Sequence, residues 1–173
     1  KELKKADAQC KRDSTLGLVR LNTFSDIAWE CIIDLGSFEN LRFYDYTKSA
    51  KRAMQSAQND VRFMRPDGTK AYRLCYSANE NSNDKDIHAI LDAGGTVAVV
   101  FGDIKYNAHT KGPMHPTYKG YPTIDGDLTD DRYNDAGGHI VGLRLKGTNA
   151  MRESACSSNF ARTAQLTVRG AAV

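Results

Sequence analysis

Short runs of β-branched and aromatic residues alternate along the chain with polar clusters and then with helical patterns. Leu18-Val19-Arg20-Leu21 reads as a first strand and runs into Asn22-Thr23-Phe24-Ser25-Asp26. A helix is expected next, with Ile27, Cys31 and Leu35 on one face, Ala28 and Ile32 beside them, and Gly36 as its stop. Leu41-Arg42-Phe43-Tyr44 reads as a second strand with the polar exit Asp45-Tyr46-Thr47-Lys48, followed by a helix from Ala50 to Gln58. Ala71 to Tyr76 is a third strand, with the exit Ser77-Ala78-Asn79-Glu80-Asn81. A helix from Asp84 to Ala93 ends at Gly94-Gly95, and Asn83 with Asp86 three residues later supplies its cap. The clearest strand is Thr96-Val97-Ala98-Val99-Val100-Phe101, continuously apolar as a strand covered on both faces should be.

These strands recur at the spacing of βα units, and parallel neighbours need helical crossovers of this kind. Residues 102–123 break the rhythm. They hold three glycines and three prolines and read as a long loop, a feature often functional in a small domain. Ile124-Asp125-Gly126-Asp127 follows, then a last clear strand from Ile140 to Leu145, too close behind it for a full helical crossover. The start, residues 1–14, is Lys- and Ala-rich and helical in character. The tail turns polar after Gly147 and apolar again at Leu166-Thr167-Val168, an edge strand or an ordered extension. The expected fold is therefore one α/β domain over residues 1–173, with a mainly parallel sheet from repeated βα units arranged as a partial (β/α) barrel. Its parts are an N-terminal helix within 1–17, the long loop 102–123 and a C-terminal extension 147–173.

Composition narrows the function classes. With 24 Lys+Arg against 21 Asp+Glu the net charge is +3, too small and too dispersed to argue for nucleic acid. No apolar run approaches the length of a membrane span. The opening KELKKADAQC has no apolar run and no initiator Met, so it is expected to be a trimmed start rather than a secretory signal. Cys10, Cys31, Cys75 and Cys156 lack metal-site spacing and fit a reducing interior, with Cys31 and Cys75 as core fillers.

In a parallel α/β sheet, ligands bind beyond the carboxyl ends of the strands. That rule selects the exits: Asn22 and Asp26, Asp45 and Lys48, Ser77, Asn79, Glu80 and Asn81. Each also has a plainer reading. Ser25 or Asp26 can cap a helix, Ser77 and Glu80 match a capping box, Asp45 can serve a turn, and Lys48 can be a solvated helix start. A second constellation packs five carboxylates into eleven residues, from Asp125 and Asp127 through Asp130 and Asp131 to Asp135. It can hold a hard cation, or form a turn clamped by Arg132. His88 reads as a surface residue of its helix, and His109 and His115 lack zinc spacing. Trp29 reads as a packing residue. Dinucleotide, Walker and serine-hydrolase signatures are absent from the sequence.

Several motifs recur together: Val19-Arg20-Leu21-Asn22 with Ser25-Asp26 and Trp29-Glu30, Phe43 to Lys48, Ser77 with Glu80-Asn81, Val97 to Phe101, Ile124 to Asp127 with Asp130 and Arg132, and Ile140 to Leu143 with Lys146-Gly147. In that order and spacing, across about residues 18–160, they resemble a bacteriophage family known as gene product eighty-eight. Tyr121, Pro122 and Tyr133 fit its pattern, whereas Asp131 stands where an apolar residue is usual. The resemblance implies a phage-encoded protein located in the infected host cell or in the virion. It also implies a cysteine-rich segment ahead of the first strand, akin to the cluster-binding start of radical S-adenosylmethionine enzymes. Only Cys10 stands there, so the chain is expected either to lack an upstream piece or to have lost that segment.

The leading expectation is an enzyme-like protein whose polar cleft binds an anionic or nucleotide-like small ligand, with a truncated relative of those barrels as one form of it. Asp26, Asp45, Lys48, Glu80 and Asp127 are its candidate catalytic residues. Asn22, Ser77, Asn81 and Arg132 are its candidate ligand-binding residues, with metal, cofactor and oligomeric state unassigned. The alternative is a non-enzymatic virion or accessory protein, or a binder of a host factor, in which the exits are caps and turns.

Overall fold

A computed structural model describes residues 1–106 and 111–164. An N-terminal helix, α1 (Glu2–Arg12), leads into β1 (Gly17–Arg20). Then come β2 (Leu41–Thr47), α2 (Ala50–Ala57), β3 (Tyr72–Ser77), α3 (Asp84–Asp92) and β4 (Thr96–Phe101). The remainder is β5 (Thr117–Tyr118), β6 (Tyr121–Asp125), β7 (His139–Arg144) and α4 (Asn149–Ser157). The seven strands form one sheet in the order β1-β2-β3-β4-β7-β6-β5. Every pairing is parallel except the β5–β6 hairpin. Strand order runs from edge to edge without closure. The partial-barrel expectation concerns curvature, which strand order does not set.

Four consecutive parallel neighbours require crossovers of one hand, which place their helices on one face of the sheet. The packing agrees. Ala53 of α2 and Ile87, Ile90 and Leu91 of α3 share a core with Tyr76, Val97, Val99, Phe101 and Ile140. Asn83 caps α3 by accepting from the Asp86 amide at 2.8 Å, and Asn83→Ala is expected to cost about 1 kcal/mol in urea denaturation. A second core, with Leu35, Phe38, Leu41, Phe43, Phe63 and Tyr72, lies toward the β1 edge. Cys75, Ala98 and Val141 face the other way with Tyr46, Ile124 and Leu143. Residues 126–138 fold toward that face, where Arg20 Nη1 meets Asp130 at 3.1 Å and Arg73 stacks over Tyr133 at 5.3 Å.

Several elements differ from the sequence expectation. The segment after Asp26 forms two short 3-10 turns, Trp29–Cys31 and Leu35–Ser37, rather than an α-helix. The Asn22 side chain holds the chain in tight turns there, accepting from Ser25 Oγ, the Ile27 amide and Trp29 Nε1. The β-branched pair Ile32-Ile33 does little to favour a helix. Leu35 and Glu30 are therefore buried, while Ile27, Cys31 and Ile32 are exposed, so Cys31 is not a core filler. Cys75 is. The stretch 102–123 contains β5 and the start of β6, whose hairpin turns at Lys119 and Gly120, both at positive φ. Residues 149–157 form a helix within the expected extension. His109 and Leu166-Thr167-Val168 lie outside the described residues. Among the described residues no helix is long and apolar enough to cross a membrane.

Candidate functional site

β2 runs to Thr47, three residues further than its apolar run, and this extension decides which side chains reach the strand ends. Side chains alternate across a strand. Asp45 thus shares the buried face with Phe43, and Tyr46 takes the opposite face. Asp45 is completely buried. It accepts from the Asn22 amide at 2.8 Å, from Asn22 Nδ2 at 3.3 Å and from the Tyr72 hydroxyl at 2.7 Å. Burial pushes its carboxyl above the ordinary range, and the bonds from Tyr72 and Asn22 offset that only in part. Asp45 is an anchor, not an exit residue: it fixes Asn22, and Asn22 folds the loop that follows β1.

That loop and the β2 and β3 exits enclose a pocket of about 290 Å³. Asn22, Asp26, Lys48 and Ser77 line it, together with Arg20, Phe24 and Tyr46. Asp26 is fully engaged. One oxygen accepts from Thr47 Oγ1 at 3.0 Å and the Lys48 amide at 2.8 Å, and the other pairs with Arg52. Arg52 also holds buried Glu30 through two bonds of 2.7 and 2.8 Å. Both carboxylates behind the pocket thus share one guanidinium. Arg20 lies 5.0 Å over the Tyr46 ring, and the Phe24 ring is fully exposed. Among the described residues the Lys48 ammonium and the Ser77 hydroxyl have no ionic or hydrogen-bonding partner. The open groups are the Lys48 ammonium, hydroxyls and aromatic rings, while Arg20 is shared with Asp130 and the Asn22 carbonyl. They can hold an anion or a flat ring, whereas the acids needed for proton transfer are occupied.

The other candidates lie elsewhere. Glu80 and Asn81 sit exposed in the turn after β3. The capping box of Ser77 and Glu80 does not form; Ser82 Oγ takes the Asn79 amide at 2.9 Å, and the cap of α3 is Asn83. Asp127 belongs to a cluster at the ends of β6 and β7. Arg144 grips Asp125 with two bonds of 2.7 Å and reaches Asp127 at 3.0 Å, and Lys146 meets Asp127 at 2.9 Å. The acidic run is therefore a clamped turn: Arg144 holds Asp125 and Asp127, and Arg132 donates to the Thr129 carbonyl and pairs with Asp135 at 3.2 Å. Arg132 is buried and lines a separate cavity at the amino ends of the strands. Among the described residues no group of three or more His, Cys, Asp or Glu side chains is placed to hold a metal ion. Sequence reasoning missed Arg20, Phe24 and Tyr46. Alternation along a longer β2 would have selected Tyr46, and parallel pairing of Arg20 with Tyr44 brings Arg20 beside it.

Fold and pocket define an α/β protein with a polar cavity at the carboxyl ends of parallel strands. The family model described as Gene product 88 matches residues 1–162 of this chain, and the chain belongs to that phage gene product family. No curated protein and no solved structure matches it.

Proposed function

We propose that this protein binds a small anionic, ring-bearing ligand of nucleotide type in the pocket between the ends of β1, β2 and β3. The observation that carries this reading is the unpartnered Lys48 ammonium beside Arg20, in a pocket where Asp26 is already engaged by Arg52, Thr47 and the Lys48 amide. Lys48 and Ser77 would take the anionic group and Phe24 the ring, since aromatic faces stack on bases. Location supports the same reading, because open α/β sheets hold ligands at this end. Asp26 and Asp45 then position the walls of the pocket. The infected host cell, or the virion, is the corresponding place of action. The second reading, docking of a host or virion component, draws on the exposure of Phe24, Ile32 and Val61.

Titration calorimetry with adenosine monophosphate tests the proposal. Wild-type protein is expected to bind saturably. Lys48→Ala is expected to weaken binding about tenfold or more, because a charge-assisted hydrogen bond is lost, with an unchanged melting temperature. Absence of binding to the wild type, or equal binding to the variant, would exclude the pocket as the site and leave the docking reading.

A further inference from the structure

The amino ends of the strands carry a second cavity. β4 begins at Thr96 opposite Cys75, so Tyr72, Arg73 and Leu74 of β3 run below it without a partner on that side. The gap is flanked by the last turn of α2 and by Gly94-Gly95, and it forms a cavity of about 230 Å³. A Cβ at Gly137 would lie 2.5 Å from the Gly94 carbonyl oxygen, so glycine lets the loop that carries Arg132 close against this point.

Three cationic side chains line the cavity: Lys70, Arg73 and Arg132. The Arg132 side chain is 1% exposed. Its Nη2 donates to the Thr129 carbonyl, but its Nε and Nη1 are buried without an acceptor. The nearest carboxylate, Asp135, lies 3.2 Å from Nη1, yet the Asp135 Oδ2 is itself buried without a hydrogen bond. Burial raises the Asp135 carboxyl, against the charges of Arg132 and Arg73. Arg73 Nε is also buried and unpartnered, while its Nη1 donates to the Asp135 carbonyl at 3.1 Å. Lys70 donates one N–H to the Ser56 carbonyl and keeps two more. Burial first, and then the charge of Arg73, push the Lys70 ammonium down to about 8.

Buried polar groups in folded proteins find partners, and Arg132 Nε and Arg73 Nε, neither with an acceptor, are exceptions that ask for one. A single carboxylate stands against three cations here. The geometry points to a binding site for a compact tetrahedral oxyanion of the phosphate class, held by Lys70, Arg73 and Arg132. The cavity is smaller than those that enclose drug-sized ligands, which suits inorganic phosphate or a small phosphomonoester. It lies at the opposite end of the strands from the Lys48 pocket and does not depend on that reading.

The test is a titration with inorganic phosphate at constant ionic strength, with glycerol phosphate as a parallel arm to separate the free ion from a monoester. Two readouts apply. In wild-type protein labelled with nitrogen-15, the Nε–H signals of Arg132 and Arg73 are expected to shift with saturation. By calorimetry in a Lys48→Ala background, which removes the other anion pocket from the signal, Lys70→Met is expected to bind about tenfold more weakly. Stationary Nε–H signals with both probes would overturn the assignment even if a variant failed to fold. So would equal phosphate binding with and without Lys70→Met in the Lys48→Ala background.

Discussion

Replacing Asp45 with alanine is expected to remove about 3 kcal/mol of folding stability, because buried neutral donors that lose their acceptor cost about 1–3 kcal/mol each. The loss has identifiable sources. The Asn22 amide, Asn22 Nδ2 and the Tyr72 hydroxyl would each lose their acceptor in a site with no exposed surface. Urea denaturation with an unchanged m-value is the measurement, and a loss below about 1 kcal/mol would show that Asp45 does not anchor the loop. The pH dependence has a definite sign. The folded pKa of Asp45 is raised above 3.8 by burial. Its contribution is therefore fully present below that value and diminishes as pH rises through the raised folded pKa. The deficit of Asp45→Ala against wild type should be largest in acid and should narrow toward neutrality.

The second large effect is expected at Arg144, with the opposite sign. Arg144→Leu would leave Asp125 and Asp127 side by side without their shared guanidinium, at a cost of about 3–5 kcal/mol at neutral pH. The hydrogen bonds from Arg144 hold the Asp125 carboxyl below its ordinary value. Burial works against the charge of Asp127, but bonds from Lys146 and Arg144 outweigh it and lower that carboxyl too. Lowered carboxylates contribute stability that is present above 3.8 and is lost as pH falls through the folded pKa. Thermal unfolding followed from neutral pH into acid should show wild type and Arg144→Leu converging. Parallel curves would mean that the cluster does not govern the acid limb.

The parallel sheet was legible because its strands announce themselves twice, by β-branched content and by the polar turn behind each. Thr96–Phe101 has the limits its apolar run indicates. The segment after Asp26 was misleading because its apolar spacing fits a helix, while the hydrogen bonds that close it into tight turns come from one asparagine at the preceding strand end. No periodicity reports such a bond. The candidate site was partly legible for a related reason. The rule about strand ends brought Asn22, Asp26, Lys48 and Ser77 to one pocket. It also swept in Asp45, because β2 was read as ending before it. Glu80 and Asn81 follow β3 by too many residues and turn away to solvent. Asp127 and Arg132 belong to other neighbourhoods because the chain doubles back through β5 and β6 before β7, and local spacing carries no trace of that return.

That return also bears on how the molecule is made. β7 lies between β4 and β6, and its pairing completes both. While a nascent chain emerges from the ribosome, β4 therefore presents one bare, strongly apolar edge until His139–Arg144 has cleared the exit tunnel. An unpaired edge of that composition invites association with other chains. A polypeptide stalled or cut short anywhere between these two strands should accumulate in aggregates or on chaperones, whereas one released just beyond Arg144 should have its central strands all paired.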